Sequence, residues 1–241
     1  MALTVAAVPC LSDNYAWLLT APDGALAICD PGEAAPIATA VEAAGGRLEM
    51  ILLTHHHGDH VAGTADLVAR YGAKVVGAAA DAHRLPKLDQ ALKPGESVTF
   101  GGSAGQVMDS PGHTRGHIAF HFADSGFVLC GDTLFSLGCG RLLEGTAEEM
   151  FSSLRALSRL PDSTLVCCGH EYTESNARFA LTVEPDNQAL RDRAAQVTAL
   201  RAKGHPTVPT TMAQERAANP FLRAPDVATL ARIRAAKDSF R

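Results

Sequence analysis

The chain of 241 residues is 46% hydrophobic and 20% charged, a balance typical of a soluble globular protein with a full hydrophobic core. Its net charge is −5, and no stripe of Lys or Arg marks a phosphate-binding face, so we expect no nucleic-acid partner. No apolar run is long enough to span a membrane, and the first residues lack the basic and apolar segments of a secretory signal. These features predict a cytoplasmic protein without a membrane partner.

The first two thirds of the chain alternate short β-type runs with helical segments, separated by Gly and Pro. The predicted strands cover residues 3–8, 15–20, 25–30, 48–54, 73–76, 105–109, 117–122, 126–130 and 164–168. Helices are predicted over 33–44, 59–71 and 146–157. The last of these begins with Thr146 as N-cap and has Glu149 three residues on, which is the pattern of a capping box.

Beyond about residue 174 the strand pattern stops. The segments 187–203, 212–218 and 227–240 are rich in Ala, Leu, Arg and Gln, which predicts a helical tail. We therefore expect two domains, a mixed α/β domain over residues 1–173 and a helical C-terminal domain over residues 174–241.

The cysteines, at positions 10, 29, 130, 139, 167 and 168, lack the spacing of a disulfide framework or a zinc ribbon. Cys167 and Cys168 are adjacent in a strand-like run, where a thiol behaves as a small apolar side chain. We expect packing roles for these residues, which suits a reducing cytosol.

Residues 54–60 read Thr-His-His-His-Gly-Asp-His, a density of imidazole that packing does not require, because each buried ring must satisfy two nitrogens. Residues i and i+2 of an extended chain point the same way, so the first and third histidines face one ion while His56 points elsewhere. The Asp-His pair after Gly58 lies at a predicted helix start and turns toward a second position. An affinity tag would lie at a terminus, and this cluster is internal. The cluster predicts a two-metal site, with ligands His55, His57, Asp59 and His60.

Four ligands are too few for two ions, so other strand ends should supply more. His113, Asp132 and His170 each follow a predicted strand and lie beside a glycine, which lets the backbone approach closely. Taken alone, either histidine would be interpreted as a satisfied surface or core residue, and the aspartate as a turn residue. The neighbouring cluster reverses that interpretation and favours metal ligands, with Asp132 as a bridge. His56 and His117 are predicted to be structural or to support ligands.

The order His-x-His-x-Asp-His, followed by His, Asp and His, resembles the signature of the metallo-β-lactamase superfamily. That resemblance implies an α/β (α+β) fold, a four-layer αββα sandwich with the metals at one edge. Further motifs are similar to those of the glyoxalase II (hydroxyacylglutathione hydrolase) family over nearly the whole chain. They lie at residues 12–15, 54–60, 111–117, 131–135, 138–146 and 168–173, and in the tail at 183–185, 219–223 and 234–238. The tail is the most specific part, because a helical C-terminal domain helps that family hold glutathione and most superfamily members lack it.

The resemblance implies a role for each matching residue. One metal would be held by His55, His57 and His113, and the other by Asp59, His60 and His170, with Asp132 bridging them. Glutathione would meet Arg141, Tyr172, Asn176, Arg234 and Lys237. The last two lie one turn apart on a predicted helix, a cationic pair suited to a carboxylate. Without the resemblance they would be interpreted as a solvated helix end.

Two positions depart from the family pattern. Arg141 stands where many relatives have Lys, which keeps the charge but changes reach and hydrogen-bond geometry. Leu143 stands where eukaryotic relatives often have Tyr, so one hydrogen bond to glutathione is expected to be missing. Both departures bear on affinity and specificity rather than on the type of reaction.

The implied reaction is hydrolysis of the thioester S-D-lactoylglutathione to D-lactate and glutathione, the second step of methylglyoxal detoxification. Two cations that share a water lower its pKa to about 7 and provide hydroxide at neutral pH, which Asp59 is placed to orient. One metal would polarise the carbonyl and stabilise the oxyanion. We expect two divalent ions, zinc first with iron or manganese as alternatives, in an enzyme that acts as a monomer.

Three alternatives stay open at this point. A persulfide dioxygenase of the same fold has a single iron and needs neither a second-metal set nor the tail with Arg234 and Lys237. Metal counting and oxygen consumption with glutathione persulfide would separate the two. A β-lactamase is disfavoured because it is usually exported. A non-catalytic protein would bind metal tightly without turnover, whereas mixed His and Asp ligands favour an open catalytic site.

Overall fold

The structure is a computed structural model that describes residues 2–240. This part of the chain divides into two compact units, one of residues 2–109 and 116–131, the other of residues 110–115 and 132–240. The domain boundary predicted after residue 173 lies inside the second unit and stays a prediction. Between residues 2 and 240 no helix combines the length and the apolar character needed to cross a bilayer.

The first unit contains a mixed sheet whose strands follow one another in chain order. They are β1 (Thr4–Cys10), β2 (Asn14–Thr20), β3 (Leu26–Cys29), β4 (Leu48–Leu52), β5 (Lys74–Ala78) and β6 (Gln90–Leu92). β1 to β3 pair antiparallel, and β3 to β6 pair parallel. Parallel strands are covered on both faces, and β3 is buried along its whole length. The polar residues that follow β3 and β4 therefore lie beside the buried hydrophobic core.

Antiparallel strands form the other sheet of this unit. They are β7 (Ser97–Phe100), β8 (Ser103–Asp109), β9 (Ile118–Phe122) and β10 (Phe127–Gly131), in the spatial order β10-β9-β8-β7. Phe120, Phe122 and Phe127 are fully buried among them. β6 and β7 were missing from the sequence prediction, because three or four residues are too few to distinguish the alternation of a strand from chance.

The helices of the first unit are α1 (Ala34–Ala43), α2 (Gly58–Val61) and α3 (Thr64–Tyr71). The prediction of a single helix over 59–71 is wrong, because the helix is interrupted between α2 and α3. The N–H of Gly63 donates to the carbonyl of Pro31 at 2.8 Å. A Cβ at Gly63 would come within 2.8 Å of that same oxygen, so only glycine permits the approach.

The second unit is mostly helical. Its elements are β11 (Leu134–Phe135), β12 (Gly138–Cys139), α4 (Ala147–Leu157), β13 (Leu165–Cys168), α5 (Thr173–Val183), α6 (Gln188–Arg201), β14 (Thr210–Thr211), α7 (Met212–Ala218), α8 (Pro220–Arg223) and α9 (Val227–Ser239). The predicted capping box is present, since Thr146 accepts from the Glu149 N–H and the Glu149 side chain accepts from Thr146.

The three helices predicted in the tail are present as α6, α7 and α9, but the tail also contains elements that were not predicted. β14 pairs with β13, with Thr211 opposite Leu165, so the expectation that strands end at residue 168 is wrong. Two residues are too few to show a period, and their strand conformation comes from the partner. α5 and α8 were also not predicted. A buried apolar cluster joins the helices to the loop after β11, and comprises Leu137, Ala177, Ala180, Leu190, Ala194 and Ala218.

Candidate active site

The loop between β4 and α2 carries the first ligand cluster, which we define as His55, His57, Asp59 and His60. Nε2 of His55 lies 3.1 Å from Nδ1 of His57. His56 turns away, with Nδ1 3.2 Å from Oδ2 of the buried Asp81. This alternation is the one expected for an extended chain.

Asp30 organises this cluster and was not singled out by the sequence analysis. Its Oδ1 accepts the Thr54 N–H at 2.8 Å and its Oδ2 accepts the Thr54 hydroxyl at 2.6 Å. The same Oδ2 lies 3.1 Å from Nδ1 of His60, while the Thr54 hydroxyl lies 3.0 Å from Nδ1 of His55. One buried carboxylate thus orients two histidines. The only sequence signal was its position, a polar residue directly after a buried strand and before Pro-Gly.

Two further side chains hold the cluster within the first unit. The His117 ring stacks on His55, with centroids 4.8 Å apart and planes inclined by 21°, and is fully buried. Asn14 donates from Nδ2 to Oδ2 of Asp59 at 3.0 Å. His117 therefore supports a ligand candidate, as predicted from sequence, and Asn14 fixes the one carboxylate of the cluster.

The second unit brings together the other candidates, His113, Asp132 and His170, which we call the second ligand cluster. Oδ2 of Asp132 lies 3.4 Å from Nε2 of His113 and 3.3 Å from Nε2 of His170. Nδ1 of His113 is 2.8 Å from the carbonyl oxygen of Arg141. Gly112 presents this histidine with φ of +139°. One carboxylate oxygen flanked by two imidazole nitrogens is the arrangement that a bridging ligand needs.

Both clusters fit divalent metal ions. Imidazole and carboxylate are the ligands that such ions take in open sites. In His55, His60 and His113 the Nδ1 atom lies 2.8 to 3.1 Å from a protein oxygen. That contact fixes the ring, as is usual for metal-ligating histidines. Within the first unit alone, ligand atoms of Asp30, His55 and His60 lie within 4.8 Å of one another.

A cavity of about 350 Å³ opens in the second unit beside Asp132. It is lined by His113, Asp132, Phe135, Cys139, Arg141, Tyr172, Ser175, Asn176, Arg234, Lys237, Asp238 and Phe240. All five residues expected to meet glutathione are among them.

The three cations of the cavity differ in their surroundings. Arg234 is buried, donating to the carbonyl of Cys139 at 2.8 Å and to Asp238 at 2.9 Å. Arg141 is largely exposed, and its Nε lies 3.4 Å from the same Asp238 carboxylate. Lys237 donates to the hydroxyl of Ser175 at 3.1 Å. Burial lowers the pKa of Lys237 to about 8, and the nearby arginines add to this effect.

Tyr172 and Asn176 also reach the cavity from the start of α5. The Tyr172 ring stacks on His170 with centroids 4.5 Å apart. Asn176 is buried, and its Nδ2 donates to the carbonyl of Ser136 at 3.1 Å. Tyr172 is therefore placed to contact both His170 and a molecule bound in the cavity.

The cysteines are all buried. Burial raises the pKa of Cys139 to about 11 and that of Cys168 to about 12. Thiols with such values stay protonated at neutral pH and are poor nucleophiles. This agrees with the packing role expected from the sequence and leaves the chemistry to the ligand clusters.

Two family models match consecutive parts of the chain. Residues 12–170 match the metallo-β-lactamase superfamily, and residues 171–240 match the hydroxyacylglutathione hydrolase C-terminus. A hydroxyacylglutathione hydrolase of Acidiphilium cryptum (strain JF-5) is 57% identical over 237 residues, which are 98% of this chain and 97% of the relative.

Solved structures share the architecture. ETHE1 from Myxococcus xanthus has a TM-score of 0.72 at 24% identity, covering 98% of this chain and 90% of its own, a likeness that shows the fold alone. TTHA1623 in a di-iron-bound form has a TM-score of 0.55 at 30% identity, covering 69% of this chain and 91% of its own.

The fold and the His and Asp clusters define the class, an α/β protein of the metallo-β-lactamase superfamily with candidate metal-binding groups. The C-terminal segment matches the family model of the hydroxyacylglutathione hydrolase C-terminus. Because the chain is also 57% identical to a hydroxyacylglutathione hydrolase over 98% of its length, it belongs to the hydroxyacylglutathione hydrolase, or glyoxalase II, family. The expected fold class and enzyme class are confirmed. The persulfide dioxygenase alternative is set aside, because the relative of high identity carries the other activity in its name.

Proposed function

We propose that this chain hydrolyses S-D-lactoylglutathione to D-lactate and glutathione. The observation that carries the proposal is the cavity of the second unit, where His113 and Asp132 share walls with Arg141, Arg234 and Lys237. Glutathione is an extended peptide with carboxylates, and cations attract them. A thioester held by that peptide would lie with its carbonyl toward the ligand cluster.

The proposed metal ligands are those of the family signature. His55, His57 and His113 would hold one ion, Asp59, His60 and His170 the other, and Asp132 both. When bound, such ions lower the pKa of a shared water to about 7 and polarise a carbonyl. We propose zinc, with iron or manganese as alternatives, and the di-iron form of TTHA1623 keeps iron in consideration.

The chain's own residues would prepare the reaction. Asp59, fixed by Asn14 at 3.0 Å, would orient the attacking water. Asp132 would keep His113 and His170 at matching distances. Arg141 and Lys237 would bind glutathione carboxylates. Arg234 would act mainly through its charge, because its Nη1 and Nη2 groups already donate to Cys139 and Asp238. The good leaving group, a thiolate, makes a protein nucleophile unnecessary.

The rest of the proposal concerns the setting of the enzyme. We propose a cytoplasmic monomer with a small-molecule substrate and no nucleic-acid or membrane partner. The net charge of −5 supports the first of these exclusions.

Hydrolysis of S-D-lactoylglutathione, measured on protein whose metal content is known from elemental analysis, tests the proposal. We expect turnover with about two metal ions per chain. His170→Ala should lose one ion and most activity, whereas His205→Ala, at an exposed position, should keep both. Fully metallated protein without hydrolysis would overturn the function. Unchanged metal content in His170→Ala would overturn the ligand set. Oxygen consumption with glutathione persulfide would restore the dioxygenase.

A further inference from the structure

The hairpin of β11 and β12, residues 134–139, is held by buried polar side chains. Asn219 donates from Nδ2 to the carbonyls of Phe135 at 3.1 Å and Gly138 at 3.0 Å. The Leu137 N–H donates to Glu215 at 2.8 Å. Asn176 and Arg234 bind the carbonyls of Ser136 and Cys139. Five polar backbone groups of this short hairpin therefore meet a side chain from α5, α7, α9 or Asn219, which caps α8.

Glu215 and Asn219 form the centre of this arrangement. Both are completely buried, and the Asn219 amide also donates to Glu215 at 2.9 Å. A buried carboxylate is costly unless strong hydrogen bonds replace water. Leu137 has φ of +58°, a left-handed conformation that is unfavourable for leucine. The hydrogen bonds from Glu215 and Asn219 thus hold the hairpin in a conformation that is unfavourable at Leu137.

The hairpin forms part of the cavity wall. Phe135 and Cys139 line the cavity, and Arg141 follows two residues later. Asp132 has an anchor outside the hairpin, because the adjacent Thr133 donates from its hydroxyl to the carbonyl of Ser110 at 3.1 Å, in addition to accepting the N–H of Gly140 at 3.2 Å. Loosening the hairpin should therefore move the wall that faces the substrate more than the ligand cluster.

We infer that Glu215 and Asn219 are positioning residues for glutathione recognition, acting through hairpin 134–139 rather than by contact with the substrate. The inference rests on the proposed function. It assigns the helical tail a second task, which is to shape the cavity wall between Asp132 and Arg141 in addition to supplying the cations.

Asn219→Asp tests this, because an aspartate keeps the oxygen that accepts the Phe221 N–H at 3.0 Å and loses the Nδ2 donor. Asn187→Asp is a matched control. Asn187 likewise accepts an N–H at a helix start, that of Leu190, and donates to a glutamate and to a backbone carbonyl. None of these hydrogen bonds of Asn187 involves hairpin 134–139. Both variants of the full chain are compared for kcat, KM, glutathione binding by calorimetry, and unfolding midpoint.

We expect Asn219→Asp to raise KM and the dissociation constant of glutathione by about 3- to 10-fold relative to Asn187→Asp, because the hydrogen bonds donated by Nδ2 to the hairpin are lost. The kcat should change less than KM. Glu215→Gln, which keeps an acceptor for Leu137, should act in the same direction more weakly, and it serves if Asn219→Asp does not fold. Equal KM values in the Asn219 and Asn187 variants, or a loss of kcat alone, would overturn the inference. A wild-type chain that neither hydrolyses the thioester nor binds glutathione would instead overturn the proposed function.

Discussion

The rings of His170 and Tyr172 are stacked almost parallel, 4.5 Å between centroids and 4° between planes. Tyr172 lines the cavity and is 38% exposed, so one residue packs on a proposed ligand and faces the proposed substrate. Tyr172→Phe should retain metal content and kcat and raise KM by about 3- to 10-fold, because only the hydroxyl is lost. Steady-state kinetics with elemental analysis will measure this.

The matching variant Tyr172→Ala removes the ring as well. We expect it to weaken metal retention in addition to raising KM, because groups that orient a metal-ligating histidine contribute about 10- to 100-fold to affinity. Competition with a chelator measures the retention. Equal retention in the Phe and Ala variants would show that the stack does not orient His170.

Asp30→Asn should reduce metal affinity by about 10- to 100-fold, since the charge that orients His60 and Thr54 is lost. Asn tolerates the positive φ of +53° at this position, so backbone strain does not confuse the result. The metal affinity is measured by isothermal titration calorimetry. Asp23→Asn, at an exposed position of the same unit, is the control. Equal affinities in the two variants would contradict the role assigned to Asp30.

The candidate site could be recognised from sequence because its ligands are dense and follow strands. Their supports could not. Asp30 lies 24 residues before Thr54, and only the parallel pairing of β3 with β4 brings the two together. Glu215 and Asn219 bind a hairpin about 80 residues earlier in the chain. A buried carboxylate of this kind leaves no pattern in a sequence, because groups that it binds, such as Thr54 for Asp30 and Leu137 for Glu215, lie far away along the chain.

The fold was predictable where the composition or spacing of a long segment favours one kind of element, and least predictable where partners impose the conformation. α4 and α9 lie within a residue or two of their predicted limits. The break between α2 and α3 depends instead on the approach of Gly63 to Pro31. β14 forms because its two residues pair with the edge of β13. Local propensity carries no record of either contact.

Thr146→Ala should lower the free energy of unfolding by about 1 kcal/mol without changing KM or kcat. Thr146 caps α4, and its hydroxyl accepts the Glu149 N–H, a bond of the size usual for N-caps. Denaturant titration measures the loss, and Thr146→Ser should restore most of it because serine caps equally well. An equal loss in both variants would show that the methyl group, rather than the cap, is responsible.

The pH dependence of KM should depend on Lys237. Burial lowers its pKa from 10.5 to about 8, so the ammonium is charged below pH 8 and loses its proton as the pH rises through that value. Attraction for a glutathione carboxylate is then lost, and KM should rise by about 3- to 10-fold between roughly pH 7 and pH 9. The unfolded chain keeps its proton up to about 10.5, so the same titration makes the folded state more stable as pH rises from 8 to 10.5.

Lys237→Arg separates this group from others that titrate in the same range, including the amine of glutathione itself. A guanidinium stays charged throughout, so the variant should have a flatter KM profile than the wild type above pH 8, while kcat follows the same curve in both. Lys237→Met should show the high KM at every pH. If the wild type and Lys237→Arg gave the same rise in KM, the titrating group would lie elsewhere, and the contact of Lys237 with Ser175 at 3.1 Å would be structural only.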